Sequence, residues 1–539
     1  MVAVQETNKN VQTLINELNK VYKNQDLLVK TRKFEVSPAT SWLSTVYERV
    51  RNTVDYKDEH LIRRYAIHRF LRVYLNSRSE SDNLTDLLVK DLIRGKYVQD
   101  GDVTDWKLKA VTDILNKYIV AKQYFNDLRI TKDPNILWDW IIGVASSEIE
   151  KAIDPFYKPE VFIKVMSQHV LEALRETSLD LSPEQEGLHV FIACHRALVK
   201  SDLPVLRYHA LSIVYPNFFD SPTFEQIKQV VTNIESTREY IDGIIKSPTQ
   251  DRLYVQIRKL APPFKVLEGV LESNPERIEP ILSNEETLLS RAEEFISQFY
   301  VDLKKKLNLR ITRMLIYLFI TKMLLALVIE APVDLYLYGH INYLTLAINT
   351  LFPVAVFFII AKKIRIQGRD NTDRIFQAIK KIVYEDKIFI TEQEEAQFKK
   401  RVSPIENTQG WLWYVYASIY LLVYGVIFLV LNKLGFNLSS VGIFIFFVSV
   451  LSFFAWNIRA RSLELQYIPK KEKLFDNIIN ILALPVLKLG QKLSTQVSRF
   501  NFFTLIFDFI FEAPFKIIVQ SVEDIIDFFR RRHEEVVEG

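Results

Sequence analysis

The feature that most constrains this chain is an apolar segment between residues 310 and 460, which has no counterpart earlier in the 539-residue sequence. It contains four apolar runs, at residues 312–330, 341–361, 411–431 and 438–457. A helix needs about 20 mostly apolar residues to cross a membrane, because the hydrocarbon layer is about 30 Å thick. The last three runs contain no charged residue. The pattern therefore predicts a transmembrane domain of four helices.

The first run differs from the others because Lys322 lies at its centre. A charge at the middle of a membrane costs about 2.5–3.5 kcal/mol on insertion scales and usually faces a bundle interior or water. Candidate partners are Glu330, or Asp508 and Glu512 if the C-terminal tail packs alongside. Glu330 is eight residues away, about 12 Å along a straight helix, so we do not expect the two to pair within that helix. Lys322 is interpreted either as part of an ion or proton pathway or as a lysine buried in the bundle, and we favour the second.

Basic residues are distributed unevenly around the four runs. They precede the first run and follow the second and the fourth, whereas the short connections on the other side contain only Lys433, beside Glu330 and Asp334. The basic positions are Lys304, Lys305, Lys306, Arg310, Arg313, Lys362, Lys363, Arg365, Arg459, Arg461, Lys470, Lys471 and Lys473. Lysine and arginine concentrate on the cytoplasmic side of membranes. We therefore expect a multi-pass protein of the cell membrane, with both termini and the loop 362–410 in the cytoplasm.

Aromatic and basic residues flank the last two runs at the ends that the charge pattern assigns to the cytoplasm. Trp411 and Trp413 begin the third run, and Trp456, Arg459 and Arg461 end the fourth. Tryptophan is enriched at membrane interfaces, and long basic side chains reach the same level. These five residues are predicted to anchor the helices at the inner interface.

The first 309 residues read as successive amphipathic helices, with apolar residues recurring at spacings of three and four. Prolines near residue 155 suggest two helical subdomains, 1–155 and 156–283, followed by a helical stalk at 284–309 that leads towards the membrane. One predicted helix presents a basic face, which is interpreted as a site for an anionic partner or, preferably, as a solvated face paired with acids. The residues of this face are Arg63, Arg64, Arg69 and Arg72.

The loop and the tail also have helical patterns. Two short helices are expected within 362–410, and Thr391 with Glu394 has the spacing of a capping box. The tail 461–539 is predicted to be amphipathic and membrane-associated, since the polar residues between 500 and 531 form a narrow stripe. That part of the tail is expected either to lie in the membrane interface or to pack on other helices.

Composition excludes several functions. Only 14 glycines and no phosphate-binding or hydrolase motif occur, and the net charge of +4 gives no case for nucleic-acid binding. Cys194 is the only cysteine, which excludes intramolecular disulfides and thiolate zinc sites. Glu186 and His189 have a spacing that can ligate a metal on a helix, but no second pair lies nearby. We predict no catalytic residue, metal or cofactor. The N-terminus lacks the pattern of a signal peptide, so the front domain is expected to stay unexported.

The sequence thus predicts an all-α protein, with a large cytoplasmic multi-helix domain, a four-helix transmembrane domain and an amphipathic helical tail. Its expected function is non-enzymatic, as a membrane anchor for a cytoplasmic domain that binds a protein partner or scaffolds an assembly. The alternative is a subunit of an oligomeric channel or transporter that uses Lys322 and nearby acids. A membrane-bound enzyme is a third hypothesis without a recognisable site. Membrane lipid is an expected partner, and self-association is left open.

Overall fold

A computed structural model describes most of the chain between residues 61 and 499. The described residues are 12, 14–19, 61–76, 84–99, 102–128, 133–154, 159–175, 177, 179, 181–339, 343–362, 368–403, 410–436, 438–467 and 474–499. Among them every regular element is a helix and no strand occurs, which confirms the all-α prediction. The predicted subdomain boundary near residue 155 and the tail beyond residue 499, with Asp508 and Glu512, lie outside the described residues.

The helices are named in chain order. They are α1 (Ile62–Tyr74), α2 (Leu84–Arg94), α3 (Asp105–Asp127), α4 (Pro134–Ile153), α5 (Pro159–Leu174), α6 (Pro183–Leu198), α7 (Leu203–Val214), α8 (Pro216–Phe219), α9 (Phe224–Thr232), α10 (Ile234–Ile245), α11 (Pro248–Glu272), α12 (Ile278–Leu282), α13 (Glu285–Leu325), α14 (Ala331–Tyr338), α15 (Tyr343–Lys362), α16 (Arg369–Tyr384), α17 (Glu392–Val402), α18 (Gly410–Lys433), α19 (Leu438–Ser462) and α20 (Leu474–Arg499). A 3₁₀ turn at Pro275–Arg277 precedes α12, and a π-helical segment at Ala326–Glu330 separates α13 from α14.

The described chain forms two compact units. The front unit contains residues from 7 to 258 together with 391–403, and the rear unit contains residues from 259 to 390 and from 404 to 499. α4 is the central helix of the front unit, because most of its residues are buried, including both its tryptophans. Asp133 caps it by accepting a hydrogen bond from the Asn135 amide at 3.0 Å, with Pro134 in the first turn. The core of this unit is therefore organised around one helix that is buried on most of its faces.

Two helices begin where the sequence provides a capping residue. Asn284 accepts from the Thr287 amide at 2.9 Å and begins α13, which continues without interruption for 41 residues. The predicted stalk and much of the first apolar run are therefore one helix, about 60 Å long at 1.5 Å per residue. Thr391 accepts from the Glu394 amide at 3.3 Å and begins α17 in the front unit. With α16, this confirms the two short helices predicted for the loop.

Two of the four predicted membrane spans meet the criteria of length and composition among the described residues. They are Tyr414–Lys433 in α18 and Ser440–Ser462 in α19, each with a mean hydropathy of 2.2. The first predicted run is not one of them, and it is divided between α13 and the π segment. The second fails because its described apolar stretch is only Leu346–Ile359. The prediction of four spans is thus supported in part, by two apolar helices.

Three segments of the rear unit meet at a polar contact that we call the junction, formed by Tyr300, Asn371, Leu465 and Tyr467. The Asn371 amide nitrogen donates to the Leu465 carbonyl at 2.7 Å and to the Tyr300 hydroxyl at 3.3 Å. Its side-chain oxygen accepts from the Tyr467 amide at 2.8 Å. Asn371 is buried, so each bond satisfies a group that would otherwise be costly to desolvate. The junction joins the chain before the first run, between the second and third, and after the fourth.

α20 packs against α18 and α19 rather than lying apart from them. A Cβ added at Gly490 would lie 2.0 Å from the carbonyl oxygen of Ser449 in α19. Small residues allow such close approach of helix backbones in membrane proteins. The Tyr424 hydroxyl of α18 donates to the carbonyl of Pro485 in α20 at 3.3 Å. The described beginning of the predicted amphipathic tail is thus part of the helix bundle.

Replacing Gly490 with alanine should separate α20 from α19, because the obstacle is a backbone carbonyl that no side-chain rotation can remove. We expect an exposed thiol probe on α20, at Leu482→Cys in a Cys194→Ser background, to be labelled several-fold faster in the Gly490→Ala protein. Gly442→Ala in α19 is the matched control, since an added Cβ meets nothing within 4 Å there. Equal labelling of all three proteins would show that the close approach does not hold α20 in place.

Candidate polar site between the apolar helices

A buried polar group, which we call the triad, joins three elements of the rear unit. It consists of Lys322 in α13, Glu330 at the end of the π segment, and Asn349 in α15. The Lys322 ammonium lies 3.4 Å from Glu330 Oε1 and donates to Asn349 Oδ1 at 3.1 Å. The Asn349 amide nitrogen donates to Glu330 Oε2 at 2.7 Å. The three residues are only 0%, 3% and 0% exposed, so the group is closed and mutually satisfied.

The expectation that Glu330 lies too far along the helix to pair with Lys322 was wrong. It assumed a straight α-helix, but residues Ala326–Glu330 form a π segment with a wider, shorter turn. Pro332 follows in the first turn of α14, and proline lacks the N–H that would donate to the carbonyl four residues earlier. The altered turn and two long side chains together close the distance. The proline two residues after Glu330 is the sequence signal that could have indicated the break.

A third helix completes the environment of the lysine. The ammonium of Lys322 lies 4.3 Å from the centroid of the Phe447 ring in α19. A cation over an aromatic face is stabilised by about 0.5–2 kcal/mol, more when it is desolvated. α13, α15 and α19 thus all contribute to holding one charge. This arrangement can fix the register of the helices and leaves the ammonium of Lys322 without contact to water.

The other predicted site residues have different surroundings. Trp411 and Trp413 lie in α18, but their side chains are outside what the structure describes. Trp456, Arg459 and Arg461 are exposed near the end of α19. The guanidinium of Arg459 lies 5.7 Å from the Trp456 ring centroid. Trp456 and Arg459 therefore form an exposed aromatic and basic pair, while the contact of the three anchors with lipid stays a prediction.

The basic face of α1 is largely occupied by acids of the front unit. Arg63 lies 3.3 Å from Glu150 and 3.0 Å from Asp154. Arg64 is fully buried, is paired with Asp202, and donates to the Ser146 hydroxyl at 3.3 Å. The favoured interpretation was a solvated face paired with acids. The pairing is observed for Arg63 and Arg64, but Arg64 is buried and not solvated. These two arginines hold α1 to neighbouring elements, while Arg72 lies 3.9 Å from Asp139 with 67% of its side chain exposed.

A second buried ion pair lies inside the front unit. Lys117 in α3 is paired with Glu148 in α4 and donates to the Phe218 carbonyl at 3.1 Å. The Tyr118 hydroxyl donates to the other oxygen of Glu148 at 2.8 Å. Burial lowers the pKa of Lys117, while the charge of Glu148 opposes that shift. Burial likewise raises the pKa of Glu148 against the charge of Lys117. Sequence reasoning missed this pair, because each residue looks like an ordinary surface charge on an amphipathic helix.

The histidines and the cysteine of α6 are packed into the front unit. His189 contacts the Gln250 side chain at 2.9 Å, and the His195 and His209 rings lie 4.2 Å apart. Burial lowers the pKa of His209 to about 3 and raises the pKa of Cys194 to about 12. Among the described residues no group of three or more metal-ligating side chains occurs, and Glu186 and His189 do not begin one. A thiol with so high a pKa is a poor nucleophile, so this cluster has the chemistry of a core.

Comparison with known proteins identifies no relative: no family model, curated protein or solved structure matches this chain.

Proposed function

We propose that this chain is a multi-pass membrane protein that holds a helical interaction or scaffold domain at the inner face of the cell membrane. The observation that carries the proposal is the surface of α18. Only 6% of its apolar window Tyr414–Lys433 is buried, although the mean hydropathy is 2.2. Leu421 and Leu429 are 79% and 61% exposed. A core helix of equal hydropathy would be covered by protein, so this surface is suited to lipid.

The junction supports an even number of membrane crossings between Tyr300 and Asn371, and again between Asn371 and Leu465. Asn371 is hydrogen-bonded to both Tyr300 and Leu465, so the three segments that contain these residues would lie on one side of a membrane. The excess of lysine and arginine beside those segments supports the cytoplasm as that side. This supports four crossings, with α13 and α15 forming one pair and α18 and α19 the other. Both termini are then cytoplasmic.

The closed triad favours an anchor over a channel. A conducting path needs groups that reach water, whereas Lys322 has none of its surface exposed and contacts the π segment, α15 and α19. The second candidate function, a channel or transporter subunit, depends on the same residues, because an intramembrane lysine and glutamate can carry a proton when a bundle opens. The front unit, with Phe224 67% exposed, is the part of the chain proposed to bind a protein partner.

Thiol labelling at Lys322 tests this function. Cys194→Ser provides a cysteine-free background, into which Lys322→Cys is introduced, with control cysteines at Asp334 and Arg369. Intact membranes are treated from each side with a small, membrane-impermeant thiol reagent. We expect the two controls to be labelled from opposite sides and Lys322→Cys to be protected from both. Rapid labelling at position 322 would favour the transport function, and labelling of both controls from one side would contradict the four crossings.

A further inference from the structure

A groove between α18 and α20 contains two lysines near the middle of the proposed membrane. It is lined by Tyr420, Tyr424, Lys488, Leu489, Gln491 and Lys492. Tyr420 lies ten residues, about 15 Å, along α18 from its first residue, which is half of a hydrocarbon layer about 30 Å thick. Gly490, beside the lysines, packs on Ser449 near the centre of the fourth run. At its proposed location the groove is therefore surrounded by acyl chains, away from lipid headgroups.

The two lysines present a basic face at this depth. Lys488 and Lys492 are four residues apart, so both project from one face of α20, and both are exposed. The Lys488 ammonium lies 4.9 Å from the Tyr416 ring centroid, which places it beside the groove. None of the residues that line the groove is acidic. Exposed charge is costly inside the hydrocarbon layer, where ionisable side chains face protein and pair with one another. We therefore expect acidic groups of a further segment to cover this face of α20.

The tail has acidic residues at the matching spacing. It begins at residue 500, directly after the end of α20, and lies outside the described residues. Asp508 and Glu512 are four residues apart, and the lysine for which they were candidate partners, Lys322, is paired with Glu330 instead. Thr504 continues the polar stripe, while all other residues from 502 to 511 except Asp508 are apolar. The pattern predicts a helix with one polar face, which suits a basic groove within lipid.

The positions of the charges fit two antiparallel helices with a turn at residue 500. Lys492 and Asp508 are each eight residues from this point, and Lys488 and Glu512 are each twelve residues from it. At 1.5 Å per residue, the members of each pair lie at the same level, about 12 and 18 Å from the turn. Antiparallel helices are commonly joined by loops of about two to five residues. A short turn after α20 is therefore enough to align both pairs.

A third pair of positions agrees with this register. Gln496 in α20 and Thr504 in the tail are each four residues from residue 500, so the same arrangement aligns two more polar residues. A hairpin also returns the chain to the side on which α20 begins and adds no net crossing. The arginines at 530–532 would then lie on the same side as the lysines at 470–473, which is the proposed cytoplasmic side.

We propose that residues 501–513 dock in this groove as a helix antiparallel to α20, with Glu512 paired with Lys488 and Asp508 paired with Lys492. The inference rests on the proposed membrane location of α18, because this depth is what makes exposed lysines costly. It deepens that proposal, since it makes the beginning of the tail a part of the helix bundle and not a helix in the membrane interface.

Thiol labelling of the tail tests the docking. Leu505→Cys is introduced into the full-length Cys194→Ser protein, at a position seven residues, about two helical turns, before Glu512 and thus on the same predicted face. We expect slow labelling of the detergent-purified protein by a small maleimide. Lys488→Glu with Lys492→Glu should accelerate it at least about tenfold, which corresponds to a loss of about 1.4 kcal/mol of docking free energy.

Reversal of the acids provides the reciprocal test. Asp508→Lys with Glu512→Lys should accelerate labelling by a similar factor, because four lysines then face one another. The protein with all four reversals should be labelled as slowly as the parent, since both pairs are restored in the opposite sense. Lys305→Glu with Lys433→Glu makes the same change of charge at exposed positions outside the groove and should leave the rate unchanged.

A crosslink tests the register without any change of charge. Thr495 and Leu505 are each five residues from residue 500 and would face each other. In the oxidised Cys194→Ser protein with Thr495→Cys and Leu505→Cys, we expect a disulfide within one chain. A covalent dimer would identify the tail of a second copy as the occupant and overturn the proposal. The absence of any disulfide would contradict the register.

The failure of this inference can be distinguished from failure of the proposed function. Labelling that neither reversal changes, or that the fourfold reversal does not restore, would exclude the pairing. An alkaline carbonate wash of cell membranes tests the membrane location separately. Release of the protein by the wash would contradict that location itself, while a retained protein whose labelling ignores the charges would contradict the docking alone.

Discussion

Replacing Glu330 with leucine should destabilise the folded protein by about 3–5 kcal/mol, since it leaves the Lys322 ammonium buried without its counter-charge. The same substitution removes the acceptor of the Asn349 amide, which donates at 2.7 Å. An unpaired buried donor costs a further 1–3 kcal/mol or so. We expect the loss to appear as a lower melting temperature of the detergent-purified protein and as aggregation on size-exclusion chromatography.

The compensating variant decides whether the triad is structural. Lys322→Leu, Glu330→Leu and Asn349→Leu together remove every polar group of the triad, and well-packed apolar replacements of buried ion pairs are often neutral or stabilising. We expect this triple variant to recover most of the stability lost in Glu330→Leu. Lys433→Leu is the matched control, because it removes an exposed lysine and should shift stability by no more than about 0.5 kcal/mol. If the triple variant were as unstable as Glu330→Leu, the loss of stability could not be explained by the unpaired charge of Lys322 alone.

The positions of the helices could be predicted from the sequence because they depend on local patterns. The cap at Thr391 and the apolar runs of α18 and α19 follow from residue type and spacing alone. The continuity of α13 was equally readable, since acidic residues begin it and no proline interrupts it before Leu325. What the pattern did not predict was the end of this helix. A run of apolar residues around Lys322 does not reveal the π segment at Ala326–Glu330 or the separate helix α14 that follows it.

The partners of the side chains could not be predicted from the sequence, because they depend on contacts between distant segments. Asn371 looks like any polar residue at the start of a loop helix, yet it bonds to residues about 70 and 95 positions away. Asn349 was visible as a polar residue in the second run, but nothing local pairs it with Lys322. The π segment shows the same limit at short range. The distance between Lys322 and Glu330 was predicted wrongly although only eight residues separate them, because a straight helix was assumed. Polar residues inside apolar patterns are the local signal for such contacts, while their partners require the fold.

Substituting Glu148 with glutamine should destabilise the front unit at pH 7 and make its stability depend more steeply on pH. The buried Lys117 would lose its counter-charge, while the glutamine oxygen could still accept from the Tyr118 hydroxyl. The ordinary pKa of lysine is 10.5, so holding Lys117 neutral at pH 7 costs at most about 5 kcal/mol, at about 1.4 kcal/mol per pH unit. This sets the upper limit of the expected loss.

The sign of the pH dependence follows from the lowered pKa of Lys117. Between the folded pKa and 10.5, the folded protein binds fewer protons than the unfolded chain, so stability rises with pH. We expect Glu148→Gln to gain up to about 1.4 kcal/mol per pH unit between pH 7 and 9, measured by urea unfolding of the full chain with hydrogen exchange of α3 and α4 as the local readout. Asp113→Asn, at an exposed position of α3, should change stability by less than about 0.5 kcal/mol and leave the pH profile unchanged. If Glu148→Gln behaved like this control, Lys117 would have to reach water or another acid, and the buried pair would not be what joins α3 to α4.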